Sequence, residues 1–500
     1  MARAARGQCP DGTPPPCAAG PRPAAARVPE PNSVAVLPFE NVRRDTADAY
    51  LGDGLASAIA TSLAQVPRLT VRSPGFVRRV SQSGTTDERL LGRQLDVHYL
   101  VEGEYQRGGD RIRVAVRLVT LPSGTERWGD AFLRPSADLL GMQEDIAREV
   151  ATRIAGALLP PEVSAIAARP TRNAAAYDLM LRGNFHLAQR TPAEVRRAIA
   201  EYAAAARVDT TYADPLARLA YAYGLVVFYG WDFGLSRDSA LALGVAGAER
   251  AVRLDSLSSD AWMARGYLAT HQYPYTYRGV VPAFERAVRL DPRNAEAWHQ
   301  LGTALQYLLQ AARSDSALRR AVSLEPDRFV TITNLAISAD LAGRTDEARL
   351  WSDSALAINP LFPMALSVRL RGAMARGDTA GARATAATLD AITAPDALPT
   401  ALAAGAAFDA WRGDTAAARA RARRAVEALA GTRQVWRGVP VVMALTSAGE
   451  RDRALDLLER LEPRGINLHL LLTQSQLQPL RADPRFARLL AETAPPAEAP

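Results

Sequence analysis

Leu51, Leu55, Ile59 and Leu63 stand four residues apart in "TADAYLGDGLASAIATSLAQV", and that spacing predicts an amphipathic helix with one apolar face. Just upstream, Val34, Val36 and Leu37 make a short apolar run closed by Pro38, the pattern of a buried strand that ends early. "LTVRS" reads as a short strand, and "TTDERLLGRQLD" as a helix with capping-box spacing from Thr85 to Glu88. From His98 the period drops to two. Ile112, Val114, Val116 and Leu118 alternate with Arg111, Arg113 and Arg117 after the break Gly108-Gly109-Asp110, which predicts a hairpin with one wet face. A turn at Pro122-Ser123-Gly124 adds a third strand, and Ile146, Val150, Ile154 and Leu158 restore the helical period. The expectation is an α/β unit over residues 33–158.

Pro160, Pro161 and Pro170 mark a linker over 159–173, after which helical periodicity runs to about residue 490. Here the chain repeats itself. "ERAVRLD" occurs at Glu249–Asp255 and again at Glu285–Asp291, and Ala287, Ala321 and Ala355 are spaced 34 apart. One copy carries Trp298, Leu301, Gly302 and Leu305 on a first helix, Leu318 and Ala321 on a second, and Pro326 at the turn. A helical period of 34 is similar to that of the tetratricopeptide repeat. Small residues such as Gly302 and Ala321 let the two helices touch, while Trp298 and Leu318 fill the space between hairpins. No single repeat could bury that surface alone. Trp262, Gly266, Phe284, Ala287 and Pro292 form a copy stretched by two residues. Tyr177 to Asp209 and Ala213 to Asp255 form earlier copies, the second with an insertion around "FYGWDFGLSRDS". The pattern weakens beyond Pro360. The fold class expected is an α/β N-terminal domain followed by an all-α superhelical solenoid over 174–490, of some seven or eight hairpins. A Pro/Ala/Arg-rich leader (1–32) and a tail (491–500) flank it, and both read as disordered.

Composition narrows the chemistry. Among 500 residues, 60 basic side chains face 53 acidic ones for a net charge of +7, and every basic side chain is Arg. Without Lys, a Walker A loop, a protein-kinase strand lysine and a Schiff-base nucleophile are excluded in their standard forms. The Arg residues are interspersed with Asp and Glu along helices rather than gathered in a stripe, which argues against nucleic acid. No apolar run reaches the length of a membrane span, and the leader has no export-type apolar core. Cys9 and Cys17 in "CPDGTPPPC" are too few for a zinc site; they form a small disulfide loop or remain two thiols. "GDGLAS" at Gly52 imitates a dinucleotide fingerprint, but Ser57 replaces its third glycine and the helical spacing runs through it. With no GxSxG elbow and no HExxH, neither catalytic residues nor a cofactor or metal are expected.

"SVAVLPFEN", "YLGDGLASAIATSL", "YLVEGEYQRGGDRIRVAVRL" and "QEDIAREVATRIAGAL" resemble the TolB-N-terminal-like (FlgO-related) domain that precedes tetratricopeptide arrays in bacterial Ser/Thr kinases, adenylate cyclases and winged-helix regulators. "LQPLRADPRFARLLAE" is similar to the closing helix of those arrays. The resemblance implies a non-enzymatic adaptor that binds a protein or peptide partner in the array's concave groove. The alternative it implies is the sensory half of a signalling system whose kinase, cyclase or DNA-binding effector lies on another chain. It also favours the periplasm or cell envelope, against the cytoplasm if the printed start is the true one. By the repeat register, Met263, Tyr267, His271, Glu296, His299, Thr303, Gln306, Tyr307 and Thr333 line the groove. That mixed polar and aromatic set suits an extended peptide or a helix, or else is a merely solvated surface. The Lys-containing clamp for C-terminal carboxylates is absent.

Overall fold

The computed structural model describes residues 29–494 apart from 83, 86, 122, 273–276, 431–433 and 462–466; Cys9, Cys17 and Pro122 lie outside the described residues. The sheet is built from β1 (Ser33–Val36), β2 (Glu40–Asn41), β3 (Thr70–Val71), β4 (Tyr99–Gly108), β5 (Arg111–Thr120) and β6 (Thr125–Pro135). Its order is β3-β1-β4-β5-β6, with β2 beside β4. β1 runs parallel to β3 and β4, whereas β4, β5 and β6 form an antiparallel meander whose first turn pairs Gly108 with Arg111.

Helices α1 (Tyr50–Leu63) and α4 (Leu139–Ala155) cover one face. Leu51, Leu55, Ile59 and Leu63 are fully buried there against Val114, Val116 and Leu118 of β5. The opposite face is covered only at its parallel end, by α2 (Pro74–Ser81) and α3 (Glu88–Leu95) through Phe76, Val77, Leu91 and Leu95. Beyond them Arg111, Arg113 and Arg117 are exposed, the wet face that the alternation predicts.

Three local expectations need correction. Helix α3 is capped by Asp87, whose Oδ1 accepts from the Arg89 and Leu90 amides at 2.8 and 3.2 Å, while Glu88 turns away to pair with Arg117 at 2.8 Å. An aspartate directly before the first turn reaches those amides without the box. Helix α4 ends before Leu158, because Gly156 adopts φ +79°, which breaks the helical path. The stretch expected as linker holds α5 (Pro160–Ile166), where Ile166 joins the sheet domain's core and Glu162 pairs with Arg68 at 2.7 Å.

From residue 174 the chain is helical hairpins: α6–α7 (Ala174–Ala188, Pro192–Val208), α8–α9 (Ala213–Tyr229, Arg237–Leu254), α10–α11 (Ser259–Ala269, Tyr277–Leu290) and α12–α13 (Ala295–Tyr307, Ala311–Leu324). Next come α14–α15 (Phe329–Leu341, Thr345–Ile358), α16–α17 (Pro363–Ala375, Thr379–Asp390), α18–α19 (Leu398–Trp411, Thr415–Ala428) and α20–α21 (Val435–Ser447, Arg451–Arg460). α22 (Asn467–Leu472) and α23 (Pro484–Thr493) close the described chain. Gly302 is where α12 and α13 touch: a Cβ there would lie 2.6 Å from the Leu318 side chain. Trp298 is half-buried, with its indole N–H donating to the Pro292 carbonyl at 3.0 Å; Trp262 does the same to Ser256 at 2.9 Å. The repeated Trp therefore anchors the turn before its own helix as well as filling the seam.

The array bends back on itself. Trp436 of α20 stacks on Phe228 of α8 with ring centroids 5.7 Å apart and planes 4° from parallel, and Gln434 donates to the Phe228 carbonyl at 3.1 Å. The insertion continues the stack, Tyr229 on Trp231 at 4.6 Å and Trp231 on Phe233 at 6.2 Å. α22 also packs against α12.

Candidate functional site

Because the array closes, the inner faces of its first helices surround a cavity of about 1410 Å³, walled on another side by α1 and the start of α2. Tyr267, His271, Glu296, His299, Thr303, Tyr307 and Thr333 all line it. Met263 and Gln306 do not. Met263 is 1% exposed in the apolar core between hairpins. Gln306, one position before Tyr307, swings toward the next hairpin and donates to the Asn334 carbonyl at 3.3 Å. A helical register defines a stripe, but the packing of neighbouring hairpins decides where its edge falls.

Glu296 is the electrostatic centre. Asn294 caps α12 by accepting from the Ala297 amide at 2.9 Å, which puts Glu296 in the first turn, where a helix favours negative charge. Its Oε2 lies 2.6 Å from Arg328 and 3.3 Å from Arg190; its Oε1 accepts from the Tyr221 hydroxyl at 2.8 Å and from Gln300 at 2.7 Å. Burial works against the charge, but Arg328 and Arg190 outweigh it and hold the carboxyl well below its usual range. Arg190 is aimed inward by a backbone φ of +52° just past the end of α6, and Arg328 stands immediately before α14.

Beside this cluster, His299 Nδ1 lies 3.0 Å from the Thr331 hydroxyl. Burial, reinforced by Arg328, lowers its pKa to about 3. His271 is lowered to about 3 by burial and Arg237 and sits among rings, 5.1 Å from Tyr267 and 6.1 Å from Phe228. Both imidazoles are neutral at neutral pH. A second charged group joins Arg218 to Asp260 at 2.6 Å, and burial together with Asp260 pushes Asp214 up to about 6.

Arg190, Tyr221, Arg328 and Trp436 were not legible as site residues. The first three sit outside the inner-helix stripe or in a repeat whose register the insertion blurs, and Trp436 arrives from a distant hairpin. The arrangement offers fixed donors, acceptors and ring faces to a ligand. Among the described residues, no three or more His, Cys, Asp or Glu side chains gather as a metal-binding group, and no helix is long and apolar enough to cross a membrane.

No protein-family model matches the chain. It is 31% identical over 171 residues to the putative adenylate cyclase 3 of Rhizobium meliloti (strain 1021), a match that covers 34% of this chain and 28% of that protein. Among solved structures, yeast Tom70 is similar at 16% identity with a TM-score of 0.39, covering 64% of this chain and 68% of Tom70. YrrB, described as a TPR protein with an unusual peptide-binding site, is similar at 21% identity with a TM-score of 0.26, covering 38% of this chain and 90% of YrrB. Likenesses of that size carry no argument about function.

Proposed function

We propose that the chain is a non-enzymatic adaptor whose tetratricopeptide array receives a protein segment in its concave cavity. The observation that carries this is the convergence of Tyr267, Glu296, His299, Thr303 and Tyr307 on one cavity of about 1410 Å³. Its polar groups are fixed by neighbours and its rings present apolar faces, the mixture that recognises a peptide by backbone hydrogen bonds and side-chain anchors. Two neutral histidines and a carboxylate held by two arginines suit recognition better than proton transfer near neutral pH. The TolB-like resemblance of the sheet domain, and with it the cell-envelope compartment, belongs to the same proposal.

The test is selection of a random-peptide display library on the immobilised full chain, followed by titration of an enriched peptide against wild type and Tyr307→Ala. A peptide family that binds wild type and loses about tenfold or more in affinity on Tyr307→Ala supports the adaptor. No enrichment, or an affinity indifferent to Tyr307→Ala and Thr303→Ala, contradicts it.

The similarity to part of a putative adenylate cyclase favours one second reading. The chain would then be the regulatory half of a signalling system, with its effector on another polypeptide as the bound partner.

A further inference from the structure

The sheet domain meets the array at an apolar junction and at a polar one, and between them Arg293, in the turn before α12, donates to the Ala64 carbonyl at the end of α1. At the apolar junction, a Cβ on Gly54 of α1 would lie 3.1 Å from the Leu181 side chain of α6, and Tyr177 and Leu181 belong to the same buried cluster as Ile59 and Ile146. The Tyr177 hydroxyl donates to Gln143 at 2.7 Å inside that cluster. Here the core of the sheet domain runs without a break into the first hairpin.

The polar junction lies across the cavity. Arg79 of α2 forks onto Asp327, with Nε 2.7 Å from Oδ2 and Nη2 2.6 Å from Oδ1, and its Nη2 is 3.3 Å from Glu325. Ser73 donates to Glu325 at 2.7 Å. Glu325 and Asp327 sit in the turn between α13 and α14, about 250 residues along the chain from their partners. That turn continues into the site: Glu325 is 3.8 Å from Arg328, which is 2.6 Å from Glu296.

We propose that the contact of Ser73 and Arg79 with Glu325 and Asp327 is a latch that holds the sheet domain over the concave cavity, with the apolar α1–α6 junction as its hinge. A segment entering the cavity then competes with the latch through Arg328, which Glu296 and Glu325 share. The Arg79 side chain is 38% exposed, and partly exposed ion pairs are weak and screened by salt. The hinge rests chiefly on buried apolar surface, which salt does not screen; its polar part is the rim where the Tyr50 hydroxyl bonds Asp178 and Arg182 lies over the Tyr50 ring. The latch gives way before the hinge does. The occupant rests on the adaptor reading above, but the latch is tested without any partner.

The experiment is a spin-label distance measurement on the full chain, with Cys9 and Cys17 replaced by Ser and labels at the exposed Gln82 and Asp346. At low salt one short separation is expected. In about 1 M salt, where the screening length falls to about 3 Å, or on Arg79→Asp, a longer separation should appear, and the milder Asp327→Asn should move it the same way. Exchanging the charges, Arg79→Asp with Asp327→Arg, should restore the short distance. A distribution unchanged by Arg79→Asp and Asp327→Asn overturns the latch, since the two parts then form one rigid block. An opened distance that the exchanged pair does not restore overturns it too, because something other than this contact then moved.

Discussion

Glu296 shows how much of the site depends on single side chains. Its carboxylate balances Arg190 and Arg328, so Glu296→Gln leaves the largely buried Arg328 and the more exposed Arg190 facing each other without an anion. Losing one member of a buried ion pair costs about 3 kcal/mol and of an exposed one under about 1; with Arg190 partly solvated, urea unfolding of the variant should show a loss of about 1–3 kcal/mol. The histidines set a pH dependence. His271 and His299 titrate near 3 when folded and near their ordinary value of 6.5 when unfolded. Between those values the unfolded chain binds more protons, so stability is full above about 6.5 and falls as pH drops toward 3. From pH 7 to 5, His299 alone should remove on the order of 1–2 kcal/mol. The double variant His271→Phe, His299→Leu should flatten that difference in urea midpoints. At this scale the sequence was partly informative: seven of nine inner-face positions reach the cavity, while Met263 and Gln306 sit at stripe edges that only packing could assign.

At the scale of elements, the 34-residue spacing and the alternation in β5 were legible because each is a periodic demand of burial on one face. Helices α2 and α5 were not, since eight and seven residues hold barely two turns of pattern and Pro begins each one. Gly302 tests the hairpin geometry. Ala is the better helix former by about 1 kcal/mol, yet a Cβ there meets Leu318 at 2.6 Å. Gly302→Ala should therefore destabilise by about 1–3 kcal/mol, read as a lowered thermal midpoint. Trp436 tests the closure of the array. Trp436→Ala removes the stack on Phe228, so amide exchange should quicken at the end of α8 and the start of α20 and stay unchanged in α14 and α15. Equal exchange at the end of α8 in both proteins would mean that the stack does not hold the array closed.

For the whole molecule, a sheet domain followed by helical hairpins could be read from the sequence, but the walled cavity, which is open to solvent on part of its rim, could not. Closure depends on Phe228 meeting Trp436, 208 positions later, and on Arg79 meeting Asp327, 248 positions later; no local periodicity records either pairing. These long-range contacts turn an open groove into a walled one. They make the central claim a matter of where a ligand lies. The most direct measurement is amide hydrogen exchange of the full chain with and without a display-selected peptide. Binding in the cavity predicts slowed exchange in α10, α12 and α14 and none in α13, α15 or β6. Protection confined to β6 or to the outer helices, with α10, α12 and α14 unchanged, would contradict it.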